Sequence, residues 1–354
     1  MTIPEHPVSP EPRSPLLARR INGVAVLLVL ADLLAIGITL FMLLRFIPPP
    51  RPFLVDRYLN FLDLILLPAL PVAALLAIKR LWRHAAFWLI PALGVVILFG
   101  GLFLPRIGAK PTAGRPIRVM AYNLYGVKLL PTGEFTGKRH GARQSEIDII
   151  RASGADVVSL EELSQDAVDA INEQLGDLYP YRILKPNGIA GMGMLSKLPI
   201  GDEAVAPLSA GGFPGIRGQV EFNGRRITVL CAHPAPPLDE EWAARAHREV
   251  VALAETARAS KPVIVLGDFN MTDQHSDYRL LPRAGMRDAF REVGWGLGLT
   301  WPNRYYRRDV VPPLVRIDFI WHSDELEPLD CWVGKPGVSD HCPVLADLGL
   351  ATTN

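Results

Sequence analysis

An α/β domain preceded by a three-helix transmembrane region is the fold class this sequence predicts. Three observations carry that expectation. The apolar runs Gly23–Leu44, Tyr58–Ile78 and Ala85–Leu104 each approach the roughly 20 helical residues that cross a bilayer core. From Ile117 onward, short β-type runs alternate with amphipathic helical ones. Where the β-type runs end, acid, amide and imidazole side chains recur.

The 354 residues suffice for about two domains. Nine Lys and Arg and five Asp and Glu precede Arg106, which leaves 28 basic and 31 acidic residues behind them, a net of −3. A slightly acidic domain is not the footprint of a protein that grips long nucleic acid through its phosphates. Cys231, Cys331 and Cys342 form neither a CxxC zinc pattern nor a disulfide framework. Cys231 and Cys342 lie in apolar runs and read as buried thiols.

Residues 1–20 are rich in Pro, Glu and Ser and read as a disordered tail that ends at Arg19-Arg20. The first apolar run is too long for a cleaved signal peptide, and two more follow. Residues 21–105 therefore hold three spans, at about 23–44, 58–78 and 85–104. Asp32 is the one charge in the first span, where packing against another helix is the expected role. Arg19, Arg20, Lys79, Arg80 and Arg83 share one side of the membrane; Arg45, Arg51 and Arg57 share the other. With the N-terminus cytoplasmic, three spans place the C-terminal domain outside the cytoplasm, in a multi-pass protein of the cell membrane.

Residues 106–116, rich in Pro and Gly, form a linker, and a domain follows over 117–350. Strands are expected at Ile117–Tyr122, Asp156–Leu160, Gly191–Leu195, Gly218–Phe222, Arg226–Ala232, Pro262–Leu266, Val315–Trp321 and Cys342–Leu348. Helices are expected at Ala142–Ala152, from Ser164 as cap to about Leu175, and at Asp239–Ala259. Asn223-Gly224 is a hairpin turn signal.

The chemistry-bearing groups fall at the strand ends: Asn123, Glu162, His233, Asp268 with Asn270, Asp318, and Asp340 with His341. Carboxylate and amide oxygens without thiolate suit Mg²⁺ or Mn²⁺ rather than zinc. Two imidazoles with carboxylate neighbours supply acid and base near neutral pH. Such a set is suited to attack on phosphorus. The loop Trp301-Pro-Asn-Arg-Tyr-Tyr-Arg-Arg308 is basic and aromatic, and Trp301, Arg304 and Tyr305 are candidate substrate contacts.

The runs Ile117-Arg-Val-Met-Ala-Tyr-Asn123, Asp156-Val-Val-Ser-Leu-Glu-Glu162, Gly267-Asp-Phe-Asn270, Arg316-Ile-Asp-Phe319 and Ser339-Asp-His-Cys-Pro343 resemble the successive motifs of the endonuclease/exonuclease/phosphatase superfamily. The resemblance spans about residues 116–350. It implies a DNase I-like four-layer α/β sandwich, with two mostly antiparallel sheets packed face to face and helices outside. It implies metal ligation by Asn123, Glu162 and Asp340. It implies that Asp318 orients His341, that Asp268 orients the attacking water and that Asn270 donates to the transition state. His233 resembles the histidine that acts on the leaving group. Glu161 stands where the family often has Gln and is expected to face away from the metal. The anchor and fold together resemble the bacterial membrane-anchored branch, including phosphatases that act on an isoprenoid carrier pyrophosphate. The implied activity is Mg²⁺- or Mn²⁺-dependent hydrolysis of a phosphate ester or pyrophosphate near the membrane surface, with a lipid-linked phosphate among the candidate substrates. The alternatives are an extracytoplasmic nuclease and a non-catalytic binding domain.

Overall fold

The computed structural model describes residues 23–104, 112–125, 128–129, 135–136, 143–303 and 312–352. The expected tail, most of the expected linker, Arg304 and Tyr305 lie outside these residues.

The apolar N-terminal region is helical. Gly23–Phe46 and Trp82–Phe103 are each long and apolar enough to cross a membrane. The middle run differs from expectation. A short helix, Phe53–Leu59, precedes it, and the chain bends by 62° before continuing over Leu62–Ile78. The bend falls at Asn60-Phe61, where the Asn60 side chain is engaged elsewhere. Asp32 has a helix partner as expected: its Oδ2 lies 2.8 Å from His84 Nδ1 on the third apolar helix.

Two six-stranded sheets form the domain. The first runs Leu326–Val333, Val344–Ala351, Thr112–Asn123, Val157–Glu161, Met192–Ser196, Tyr181–Lys185. The second runs Arg287–Asp288, Asp318–His322, Val263–Asp268, Arg225–Cys231, Pro214–Phe222, Ile200–Pro207. Each sheet contains one parallel pair, and its other pairings are antiparallel. The first strand begins at Thr112, five residues earlier than the sequence pattern indicates, and its pairing shifts register between Ala113 and Ile117.

Side chains in a strand alternate between faces. Ile117, Val119 and Ala121 from one sheet and Ile264, Leu266 and Ile320 from the other fill the space between the sheets. Met120, Tyr122, Val158 and Leu160 face outward, beneath Ile147, Ile150 and Ile171 of the helices Arg143–Ser153 and Gln165–Leu175. Val263, Val265, Phe319 and Trp321 do the same beneath Val250, Leu253 and Ala257 of Glu240–Ala259. Ser164 and Asp239 cap their helices, accepting from Ala167 N and Trp242 N. The layers are therefore helix, sheet, sheet, helix.

Candidate active site

The inward period-2 series do not stop where the apolar residues do. The series Ile117, Val119, Ala121 ends on Asn123, and Ile264, Leu266 ends on Asp268. Asn123 pairs in register with Glu161, and Asp268 with Asp318. Parallel strands end together, and the antiparallel neighbour starts at the same end. Asn123, Glu162, His233, Asp268, Asn270, Asp318, Asp340 and His341 thus follow or begin strands at one end of the sandwich. A single-sheet reading of the sequence cannot show that convergence, but the shared position at strand ends is its signal.

Asn123 is the hub. Its Nδ2 donates to Glu162 Oε1 at 3.2 Å and to Asp268 Oδ2 at 3.0 Å, while its Oδ1 accepts from Tyr125 N at 2.8 Å. Asp268 Oδ1 accepts from Asn270 N at 2.8 Å. Asn270 Nδ2 lies 3.0 Å from His233 Nε2 and donates to Pro234 O at 3.0 Å. His341 Nδ1 lies 3.0 Å from Asp318 Oδ2, and its Nε2 lies 3.7 Å from Asp268 Oδ2. One imidazole therefore sits between two carboxylates, and the other faces the Asn270 amide with Asp268 Oδ2 3.6 Å from its Nε2.

The electrostatics separate the two histidines. Burial alone would lower the His341 pKa, but Asp318 and Asp268 override it and hold the ring well above its ordinary value. His341 is a buried imidazolium. His233 is pushed down to about 3, first by burial and then by the charge of His341. It is a neutral imidazole, and Asn270 donates to its Nε2. Asp268 is raised to about 7 by burial, against the opposing pull of His341. Glu162 is raised to about 8, by burial first and by Asp340 second.

Two carboxyl groups that raise one another's cost, with an amide beside them, suit a hard divalent cation. Asp268, Asp318 and His341 form a second candidate cluster, whose ligand atoms lie within 4.8 Å of one another. There the imidazolium already supplies positive charge.

Several contributors were not singled out from the sequence. Ser339 Oγ donates to Asn123 O at 2.6 Å and accepts from His341 N at 3.1 Å, joining the two sides of the site. Its place in Ser339-Asp-His was the available signal. Asn303 N donates to Asp340 O at 2.5 Å, and Thr300 O accepts from Cys342 N at 2.9 Å. Trp301 Nε1 donates to Asp340 Oδ2 at 3.3 Å, so this candidate contact reaches the site. Glu161 is fully buried between the sheets, where burial, Asp318 and Asp268 hold its carboxyl well above the ordinary range. Ser159 Oγ donates to it.

A two-sheet sandwich flanked by helices, with this cluster at one end, is the DNase I-like hydrolase fold. The chain belongs to the endonuclease/exonuclease/phosphatase family, whose model matches residues 120–341. It is similar to the uncharacterized protein YbhP of Escherichia coli K12, at 27% identity over 236 residues, which cover 57% of this chain and 87% of that protein. The Shigella flexneri YbhP protein matches with the same figures. Among solved structures, an endonuclease/exonuclease/phosphatase from Beutenbergia cavernae is similar at a TM-score of 0.51 and 19% identity, over 67% of this chain and 72% of that one. D. rerio TDP2 complexed with single strand DNA product is similar at a TM-score of 0.54 and 15% identity, over 66% and 99%. At these identities the structural likeness shows the fold.

Proposed function

We propose that this chain is a membrane-anchored, divalent-metal-dependent phosphoesterase that hydrolyses a phosphate ester or pyrophosphate on a lipid-linked substrate. The observation that carries the reading is the convergence of Asn123, Glu162, Asp268, Asp318, Asp340 and two histidines of opposite charge state at one end of the sandwich. Glu162 and Asp340, with Asn123, would hold Mg²⁺ or Mn²⁺. When bound, such an ion polarises a phosphoryl oxygen.

The protein groups divide the remaining work. Asp268, fixed by Asn123 and the Asn270 amide, orients the attacking water and takes its proton. His341, held as imidazolium by Asp318, faces the charge that develops on the phosphoryl oxygens. Asn270 would turn its amide to the same charge by giving up its hydrogen bond to His233 or to Pro234 O. His233 enters neutral; a bound phosphate raises its pKa, and it then serves the leaving group.

The membrane part of the reading rests on the apolar helices and on where they meet the domain. Arg57 Nη1 donates to Leu238 O, five residues beyond His233, at 2.8 Å. Gly296 N donates to Leu102 O at 2.8 Å. The segment between the first two apolar helices thus lies on the domain's side, as three spans require, and a cytoplasmic N-terminus would then place the domain outside the cytoplasm. The proposed division is a tail over 1–20, three spans, a linker and the catalytic domain.

A hydrolysis panel on the full chain in detergent tests the proposal. It includes isoprenoid pyrophosphate, sphingomyelin, inositol phosphates, and single- and double-stranded DNA, with Mg²⁺ or Mn²⁺. Turnover of a lipid phosphate, lost in His233→Ala and Asp268→Ala, is expected. No turnover of any member would reject the hydrolase reading. Preference for DNA over every lipid would replace the substrate with nucleic acid.

A further inference from the structure

The loop that follows Asn270 is held by residues more than two hundred positions earlier in the chain. Asn60 Oδ1 accepts from both Thr272 N and Thr272 Oγ1, each at 3.0 Å. Asp56 Oδ1 accepts from Ser276 N at 3.1 Å, and its Oδ2 from Ser276 Oγ at 2.5 Å. Arg51 Nη1 pairs with Asp56 Oδ1 at 2.9 Å and donates to Gln274 O at 3.0 Å. Arg45 Nε donates to Gln274 Oε1 at 2.6 Å. Arg51, Asp56, Asn60, Thr272, Gln274 and Ser276 are all buried. A buried polar group without its partner is costly, so this geometry is held rather than incidental.

These contacts fall where the site needs rigidity. Thr272 is two residues from Asn270, whose backbone is left-handed at φ 52° and whose amide bonds both His233 and Pro234. The chain has no further strand between Asp268 and Asp277 to fix this turn. Within the domain Phe269 N donates to Ile317 O at 2.8 Å and Arg291 pairs with Asp273; Phe53–Leu59 and the bend after it add the hold on Thr272 and Ser276. The bend also has a purpose on this view: it frees Asn60 from the helix to face Thr272.

We infer that Asn60 and Asp56 are positioning residues of the active site, so that the segment between the first two apolar helices belongs to the catalytic unit. The inference rests on the proposed role of Asn270 for its effect on rate, but not for its effect on the loop. A fragment that begins near Thr112 lacks this support.

The test uses the full chain in detergent or nanodiscs. Amide hydrogen exchange over Asn270–Asp277 is compared among wild type, Asn60→Ala and Asn60→Asp. Loss of two buried hydrogen bonds is expected to speed exchange there about tenfold in Asn60→Ala. Asn60→Asp keeps an acceptor for both Thr272 donors and is expected to restore protection. In parallel, kcat for bis(p-nitrophenyl) phosphate is expected to fall about tenfold in Asn60→Ala with KM little changed, and to recover in Asn60→Asp. Should Asn60→Ala fail to fold, Asn60→Ser, whose shorter side chain withdraws the acceptor from both Thr272 donors, decides the matter by the same readings. Unchanged exchange and unchanged kcat in the folded variant would overturn the inference, as would loosened exchange with an undiminished kcat. A wild type that hydrolyses no phosphoester would instead overturn the proposed function, while the exchange comparison still decides whether Asn60 orders the loop.

Discussion

Metal binding to the proposed Glu162–Asp340 subsite should release a proton whose amount depends on pH in a calculable way. The Glu162 carboxyl stands at about 8 without metal, because burial and Asp340 both disfavour its charge. Such a group is about 90% protonated at pH 7 and about 10% protonated at pH 9. A cation needs the carboxylate, so binding displaces about 0.9 proton from Glu162 at pH 7 and about 0.1 at pH 9. Affinity therefore rises with pH up to about 8 and then levels. The metal-free stability runs the other way. A raised carboxyl contributes stability that is fully present below about pH 4.5 and is lost as pH rises through about 8. The assay is calorimetric titration with Mg²⁺ or Mn²⁺ in two buffers of different ionisation enthalpy, at both pH values. Asp268, raised to about 7, adds its own release, and the difference between wild type and Glu162→Gln isolates the Glu162 share. Equal proton release at pH 7 and pH 9, or undiminished affinity in Glu162→Gln, would refute the reasoning.

Three further outcomes follow from the geometry. In Gly267→Ala the new Cβ would stand 1.9 Å from Ala232 O on a backbone at φ 146°, so thermal unfolding should show a loss of about 3 kcal/mol or more. Asp288→Ala strips the buried Arg316 of its bidentate partner, at 3.0 and 2.7 Å, and should cost about 3–5 kcal/mol in denaturant unfolding. Asp318→Asn removes the strongest support for the His341 imidazolium, so the basic limb of the pH–rate profile should move to lower pH; an unmoved limb would contradict the assigned role of Asp318.

The core of both sheets was legible because central strands are buried on both faces and carry continuous or strictly alternating apolar residues. Val157–Glu161 and Val263–Asp268 are buried throughout. Within the two six-stranded sheets the strands that escaped the sequence pattern are Tyr181–Lys185, Ile200–Pro207, Arg287–Asp288 and Leu326–Val333, and each is the edge of its sheet. Ile200–Pro207 is largely exposed, and Leu326–Val333 holds Pro328 beside a register shift. An edge strand pairs on one side only, so its composition is weakly constrained. The site was legible through its strand ends, residue by residue. The hold of the apolar N-terminal region on Thr272 and Ser276 was not, because no periodicity links Asn60 to a loop 212 residues away.

Two residues of the site, Glu162 and Asn270, adopt left-handed backbone at φ 51° and 52°. Glu162 directly follows the parallel strand Val157–Glu161, and Asn270 comes two residues after the parallel strand Val263–Asp268. Asn visits this region readily; Glu does so at a cost of about 1–3 kcal/mol. The surroundings hold Glu162 there from both sides: Glu161 O accepts from Leu124 N at 2.9 Å, and Leu163 N donates to Gly191 O at 3.1 Å. A helical or extended residue at 162 would not turn its carboxyl toward Asn123 Nδ2. The strain thus buys a direction, and it has a counterpart across the sandwich in Asn270, whose amide is turned to His233. In the first sheet neighbouring backbone imposes the turn. In the second sheet Phe269 N donates to Ile317 O and Asn270 N to Asp268 Oδ1, while Asn60 and Asp56 hold the loop that follows. Both halves of the site turn a polar side chain through a left-handed residue, and the apolar N-terminal region adds its hold to the second half.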